Sequence, residues 1–142
     1  MNGIRETVDP LLSLVIPCYN EQEVLPILQQ RLEEALARLG VSWEVILVDD
    51  GSRDRTLELL AAAHQREPRF KVIGLSRNFG HQAAISAGLA YASGQAVAVM
   101  DADLQDPPEL LADCLQRWRQ GYEVVFAVRR NRKENALKRA AY

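Results

Sequence analysis

Short apolar runs at regular intervals constrain this chain more than any other feature. Leu12–Ile16, Glu44–Val48, Lys71–Leu75, Ala96–Met100 and Glu123–Val128 each read as a strand, with helical periodicity in the stretches between them. Strands that alternate with helices build a mostly parallel sheet flanked by helices, an α/β architecture. Such sheets bind ligands in the crevice beyond the carboxyl ends of their strands.

The first helical stretch carries an apolar stripe of Val24, Leu25, Leu28, Leu32, Ala35, Leu36 and Leu39, and Gly40 ends it. Asn20 reads as its cap, with Glu23 reaching back, and Pro26 moves the regular part towards Leu25. Asp54 reads as the cap of a helix through His64, with Leu57, Leu60, Ala61 and His64 on one face and Pro68 closing the unit. An alanine-rich helix spans about Gln82–Ala92. Asp106-Pro107 reads as a further helix start, a capping side chain followed by proline at the first helical position. Leu110, Leu111, Cys114, Leu115 and Trp118 form the apolar face of that helix, and a basic helix begins near Asn131.

A polar cluster follows each of four strands: Cys18-Tyr19-Asn20-Glu21, Asp49-Asp50-Gly51-Ser52, Ser76-Arg77-Asn78 and Asp101-Ala102-Asp103. A parallel sheet gathers all four on one edge. Asp101 and Asp103 suit a hard divalent cation, Mg²⁺ or Mn²⁺, which one or two carboxylates can hold while leaving positions for phosphate oxygens. Helix capping or a solvated loop is the competing reading. The strand before the triplet, and Gln105 and Asp106 after it, favour the metal site. One of Asp49 and Asp50 suits a hydrogen bond to a base or ribose, and either one also suits a cap for the turn at Gly51-Ser52. Arg77 suits a phosphate or carboxylate of the crevice, or is a surface arginine. Tyr19 suits stacking on a base, or packs its loop. Asn78-Phe79-Gly80 turns into the alanine-rich helix, whose N-terminus could face an anion. His64 reads as a half-buried helix residue, His81 as functional or, the commoner reading for a helix-start histidine, structural, and Cys18 has no evident base to make it a nucleophile.

Composition narrows the classes. The 142 residues are 48% hydrophobic and 25% charged, enough for one domain with its own core. The net charge of −2 gives no signature of nucleic-acid binding. Cys18 and Cys114 lack metal-type spacing and read as reduced core thiols of a cytosolic protein. No apolar stretch approaches the roughly 20 residues that span a bilayer, so the chain itself is expected to be soluble. Arg129, Arg130, Arg132, Lys133, Lys138 and Arg139 crowd the end, as a solvated helix face or as a site for phosphate groups or an anionic membrane.

Val15-Ile16-Pro17-Cys18-Tyr19-Asn20-Glu21, Val48-Asp49-Asp50-Gly51-Ser52 and Asp101-Ala102-Asp103 together resemble the family-two glycosyltransferases of the GT-A fold. Leu75-Ser76-Arg77-Asn78-Phe79-Gly80 and Asp103-Leu104-Gln105-Asp106-Pro107 resemble the branch acting on polyprenyl phosphate, typified by bactoprenol glucosyltransferases and dolichol-phosphate mannose synthases. The resemblance covers 12–142, preceded by a flexible 1–11. It implies that Pro17, Tyr19 and Glu21 line a nucleotide pocket, with Asp49 on the base or ribose and Asp50 close behind. It implies that Asp101 and Asp103 meet the metal and the sugar-diphosphate, that Gln105 joins them, and that Arg129 and the basic residues after it lie near donor and acceptor phosphates.

The implied activity is inverting, metal-dependent transfer of a sugar from a nucleotide-diphosphate sugar to polyprenyl phosphate for cell-envelope glycans. UDP-glucose is favoured as donor over GDP-mannose and other sugars. The parent protein is expected at the cytoplasmic side of the membrane. The chain stops at Tyr142 inside a continuing helical pattern, so a C-terminally truncated piece is expected, with an incomplete or rearranged sheet and an open edge that favours self-association. A non-catalytic nucleotide-binding fragment is the alternative. An aspartate-nucleophile phosphatase fits less well, because Leu104 stands where that pattern wants Thr or Val. A dinucleotide oxidoreductase would need G-x-G-x-x-G after the first strand.

Overall fold

The computed structural model describes residues 10–129. In chain order the elements are β1 (Leu12–Cys18), α1 (Leu25–Leu39), β2 (Trp43–Asp49), α2 (Thr56–Arg66), β3 (Phe70–Gly74), α3 (His81–Tyr91), β4 (Ala96–Val99) and α4 (Leu110–Arg119). The strands form one four-stranded sheet in the order β3-β2-β1-β4, and every pairing is parallel. Cys18 pairs with Asp49, and Asp49 with Gly74, so the strand ends that precede the polar clusters come into line.

β1 and β2 are the central strands and are buried along their whole length. Side chains alternate between the two faces of a strand. Leu14, Ile16, Val45 and Leu47 therefore share one core with Leu25, Leu28, Leu32 and Leu36 of α1 and Leu60 of α2. Val15, Ile46 and Val48 share the other with Ala84 of α3. The alanine-rich sequence of α3 has a packing reason. A Cβ on Gly88 would fall 2.3 Å from Val15 Cγ1, so this helix lies closer to the sheet than a larger residue permits.

The amino end of the sheet is pinned by one buried carboxylate. Glu44 accepts hydrogen bonds from Ser13 Oγ (2.6 Å), Ser93 N (2.8 Å) and Ser93 Oγ (2.9 Å), and pairs with Lys71 Nζ. Burial alone would raise its pKa, but these donors outweigh burial and hold it at about 2.

Several expected details differ. Asn20 does not cap α1. Val24 stands at that position without a side-chain cap, and Asn20 adopts a left-handed φ of 52°. The buried face of α2 is Thr56, Leu60 and Ala63, which leaves Leu57, Ala61 and His64 outward. Asp106 does not cap α4. Pro107 and Pro108 first form a turn, closed by Leu110 N and Leu111 N donating to their carbonyls, and the helix starts at Leu110.

The expected fifth strand, Glu123–Val128, is not a strand, because it joins no ladder. Val124, Phe126 and Val128 are 68%, 83% and 82% exposed, and 123–127 lies across a groove of about 670 Å³ from β4 and α4. The expected basic helix and Arg130, Arg132, Lys133, Lys138 and Arg139 fall outside the described residues, as does 1–9. No helix among the described residues is long and apolar enough to cross a membrane.

Candidate active site

The carboxyl edge of the sheet opens into a cleft of about 450 Å³. The end of β1 supplies one wall with Pro17, Cys18, Tyr19 and Glu21. The segment after β4 supplies another with Asp101, Ala102 and Asp103. Asn78, Gly80 and His81 at the start of α3 complete it, with Asp50 beneath them. Parallel pairing in register brings these distant segments together.

The loop after β1 is held by the loop after β2. Asn20 N donates to Ser52 Oγ (2.9 Å), and Arg53 N donates to Asn20 Oδ1 (2.9 Å). Glu21 N donates to Thr56 Oγ1 (2.8 Å), Gln22 N to Asp54 Oδ2 (3.3 Å), and Arg55 N to Gln22 Oε1 (3.1 Å). These side chains satisfy backbone groups that neither strand nor helix can pair. The zipper and the left-handed Asn20 aim Tyr19 and Glu21 into the cleft. A second left-handed residue, Leu104 at φ 60°, turns the chain just after Asp103 while its side chain packs on the core. Left-handed backbone costs a branched residue roughly 1–2 kcal/mol, which the packing of Leu104 offsets.

Asp49 and Asp50 have separate jobs. Asp50, 4% exposed, accepts from Phe79 N (2.8 Å) and Gly80 N (3.1 Å), and so fixes the turn into α3. It caps the segment after β3, not its own turn. Asp49, 2% exposed, accepts only from Ser52 N (3.3 Å), and its Oδ1 has no partner among the described residues. Gly51 lets the Arg77-Asn78 backbone pack directly against this turn. Its φ is +67°, and a Cβ there would lie 2.3 Å from Arg77 C and 2.4 Å from Asn78 N.

Negative charge converges on the cleft. Burial raises the Glu21 pKa, and the charges of Asp103 and Asp54 raise it further. Burial pushes the Cys18 thiol well above its usual range, reinforced by Glu21 and Asp49, so Cys18 stays protonated and is no nucleophile. His81, which the sequence leaves between a functional and a structural reading, lines the cleft with Nε2 3.4 Å from Asp101 Oδ1. Its position one residue after the Gly80 turn, beyond the end of β3, was the sequence signal for that placement.

Four expected site residues do not line the cleft. Asp49 lies buried behind it. Arg77 stacks its guanidinium 4.0 Å over the Phe79 ring. Arg129 donates to Asp106 Oδ1 (2.8 Å) and Gln105 Oε1 (2.6 Å), which occupies the Gln105 side-chain oxygen, and the charges of Asp103 and Asp101 act on the same guanidinium. Among the described residues no three His, Cys, Asp or Glu side chains converge into a metal cage. Asp101 and Asp103 on one wall nevertheless fit Mg²⁺ or Mn²⁺, which need only one or two carboxylates when phosphate oxygens complete the shell.

A parallel sheet with this acidic cleft at its carboxyl edge belongs to the GT-A class of α/β folds. The structure of Staphylococcus aureus TarS residues 1–349 matches with a TM-score of 0.62 at 23% identity, over 87% of this chain and 40% of that one. The Pyrobaculum calidifontis mannosyltransferase PcManGT, solved with GDP-Man and Mn²⁺, matches with a TM-score of 0.64 at 24% identity, over 92% of this chain and 39% of that one. The chain belongs to glycosyl transferase family 2, whose family model matches residues 13–141. It is 50% identical over 121 residues to the uncharacterized glycosyltransferase YkcC of Bacillus subtilis, covering 85% of this chain. It is 48% identical over 130 residues to the undecaprenyl-phosphate 4-deoxy-4-formamido-L-arabinose transferase of Pseudomonas aeruginosa PAO1, covering 91% of this chain. The chain spans 38% of the length of each of these relatives.

Proposed function

We propose that the protein carrying this chain transfers a sugar from a nucleotide-diphosphate sugar to polyprenyl phosphate, inverting the anomeric carbon and using Mg²⁺ or Mn²⁺. The observation that carries this reading is the convergence of Tyr19, Glu21, Asp101 and Asp103, from two separate segments, on one cleft. The 48% identity to a relative named as an undecaprenyl-phosphate transferase supports the acceptor class. UDP-glucose is the favoured donor, with GDP-sugars as the competing class. The parent protein works at the cytoplasmic face of a membrane, where its acceptor lies.

In this reading an acceptor phosphate oxygen attacks the anomeric carbon from the face opposite the diphosphate. The bond to the diphosphate oxygen breaks, and the nucleoside diphosphate departs with that electron pair. The acceptor is already anionic, so a strong general base is not required. A bound divalent cation supplies charge neutralisation for the departing diphosphate. Asp101 and Asp103 would hold that cation, and Gln105 would join them if its side-chain oxygen were released by Arg129. Pro17, Tyr19 and Glu21 seat the nucleotide, Tyr19 by stacking on the base. Asp49 Oδ1, buried and without a partner among the described residues, is the acceptor this reading gives to the base or ribose, with Asp50 bracing the loop beside it. Arg77 and Arg129 would bind phosphate oxygens only by leaving the Phe79 ring and Asp106, and the basic residues after Arg129 would draw the lipid headgroup. The chain's residues thus chiefly orient the donor and acceptor and stabilise the leaving group.

Calorimetric titration with UDP and with GDP, each with and without Mn²⁺, tests the reading. The expected result is metal-dependent binding of one nucleotide. A folded chain that binds neither would remove the donor site from this cleft.

A further inference from the structure

We infer that His81 is a donor-binding residue, whose imidazole hydrogen-bonds the diphosphate of the nucleotide sugar beside Asp101. The inference rests on the donor reading of the cleft and adds a residue to it.

The argument starts from charge. The lining side chains include four carboxylates, Glu21, Asp50, Asp101 and Asp103. A diphosphate entering there meets like charge on every wall. Two carboxylates beside one cation leave the other two uncompensated by it. Hydrogen bonds from Phe79 N and Gly80 N already serve Asp50. A donor inside the cleft would ease the remaining repulsion. Arg77 is stacked on Phe79, and Arg129 is bonded to Gln105 and Asp106, so neither lines the cleft in this arrangement, although the charges of Asp103 and Asp101 reach Arg129.

His81 is the basic side chain among the lining residues. It stands on the first residue of α3, and its backbone is anchored by the turn that Asp50 caps. Its Nε2 lies 3.4 Å from Asp101 Oδ1, a long contact that a phosphate oxygen can replace with a shorter one. The side chain is 56% exposed, so it can turn towards a ligand without unpacking the core.

Titrations of the full chain with UDP (or GDP, whichever wild type binds) and with the matching nucleoside, in Mn²⁺, separate the outcomes. His81→Ala is expected to weaken diphosphate binding about tenfold, the scale of one lost charge-assisted hydrogen bond, with nucleoside binding unchanged. His81→Gln, which keeps a donor, should recover most of the loss. Unchanged diphosphate affinity in His81→Ala overturns the inference while leaving the donor cleft standing. An equal loss for diphosphate and nucleoside also overturns it, because the residue would then only shape the cleft. A wild-type chain that binds neither nucleotide overturns the donor reading itself, and this inference with it.

Discussion

Asp49 and Asp50 are adjacent in sequence but face opposite sides of the sheet, because the strand that delivers them alternates. Asp50 meets the backbone donors before α3, while Asp49 keeps a buried oxygen without a partner among the described residues. Leaving such an atom unpaired costs on the order of 1–3 kcal/mol, a cost a ligand donor would remove. Asp49→Ala is therefore expected to weaken nucleoside binding equally with and without Mn²⁺. A loss seen only with metal would contradict the base or ribose role. Asp103 is exposed at a turn. Asp103→Ala should abolish the metal-dependent part of nucleotide binding and leave thermal melting nearly unchanged. Gly51→Ala should behave in the opposite way. Its Cβ would strike the Arg77-Asn78 backbone, and its positive φ strains any side chain, so a stability loss of about 2 kcal/mol or more is expected in urea unfolding.

At the scale of elements, two contacts hold the layers in place. Gly88 lets α3 settle on β1 and β2. Gly88→Ala should cost about 1–3 kcal/mol, because Val15 is wholly buried and cannot move aside. Glu44 ties β1, β2, β3 and the α3–β4 connection at the other end of the sheet. Its folded pKa of about 2 lies below its ordinary 4.5. Its stabilisation is therefore fully present above about pH 4.5 and is lost as pH falls towards 2, a contribution of about 3 kcal/mol. Unfolding midpoints at pH 7 and pH 3 should differ less in Glu44→Gln than in wild type. The helix stripe of α1 was legible from its spacing, and so was its glycine stop. The start of α1 at Leu25 was legible too, from Pro26, but the caps of α1 and α4 were not, because the side chains of Asn20 and Asp106 are engaged by other segments, Arg53 N for one and Arg129 for the other.

At the scale of the molecule, β4 is an edge of the sheet among the described residues. Val97 and Val99 on it are 46% and 47% exposed, facing the groove under 123–127. Open apolar edges recruit other strands. Sedimentation velocity should show concentration-dependent association of this chain that Val97→Lys with Val99→Lys reduces, and equal association in both would place the contact elsewhere. The alternation of apolar runs with helical stripes was enough to determine an α/β parallel sheet, its four paired strands to within two residues, and the edge on which the acidic clusters gather. Those properties follow from local periodicity and from the connection rules of parallel strands, which a sequence displays directly. Tertiary structure alone decided that Glu123–Val128 forms no strand, since a strand exists only when a neighbour completes its ladder. It alone divided Asp49 from Asp50, engaged Gln105 with Arg129, and set His81, which the sequence places on that edge, against Asp101. Each of those outcomes depends on which distant donor or acceptor arrives within about 3 Å, the reach of a hydrogen bond.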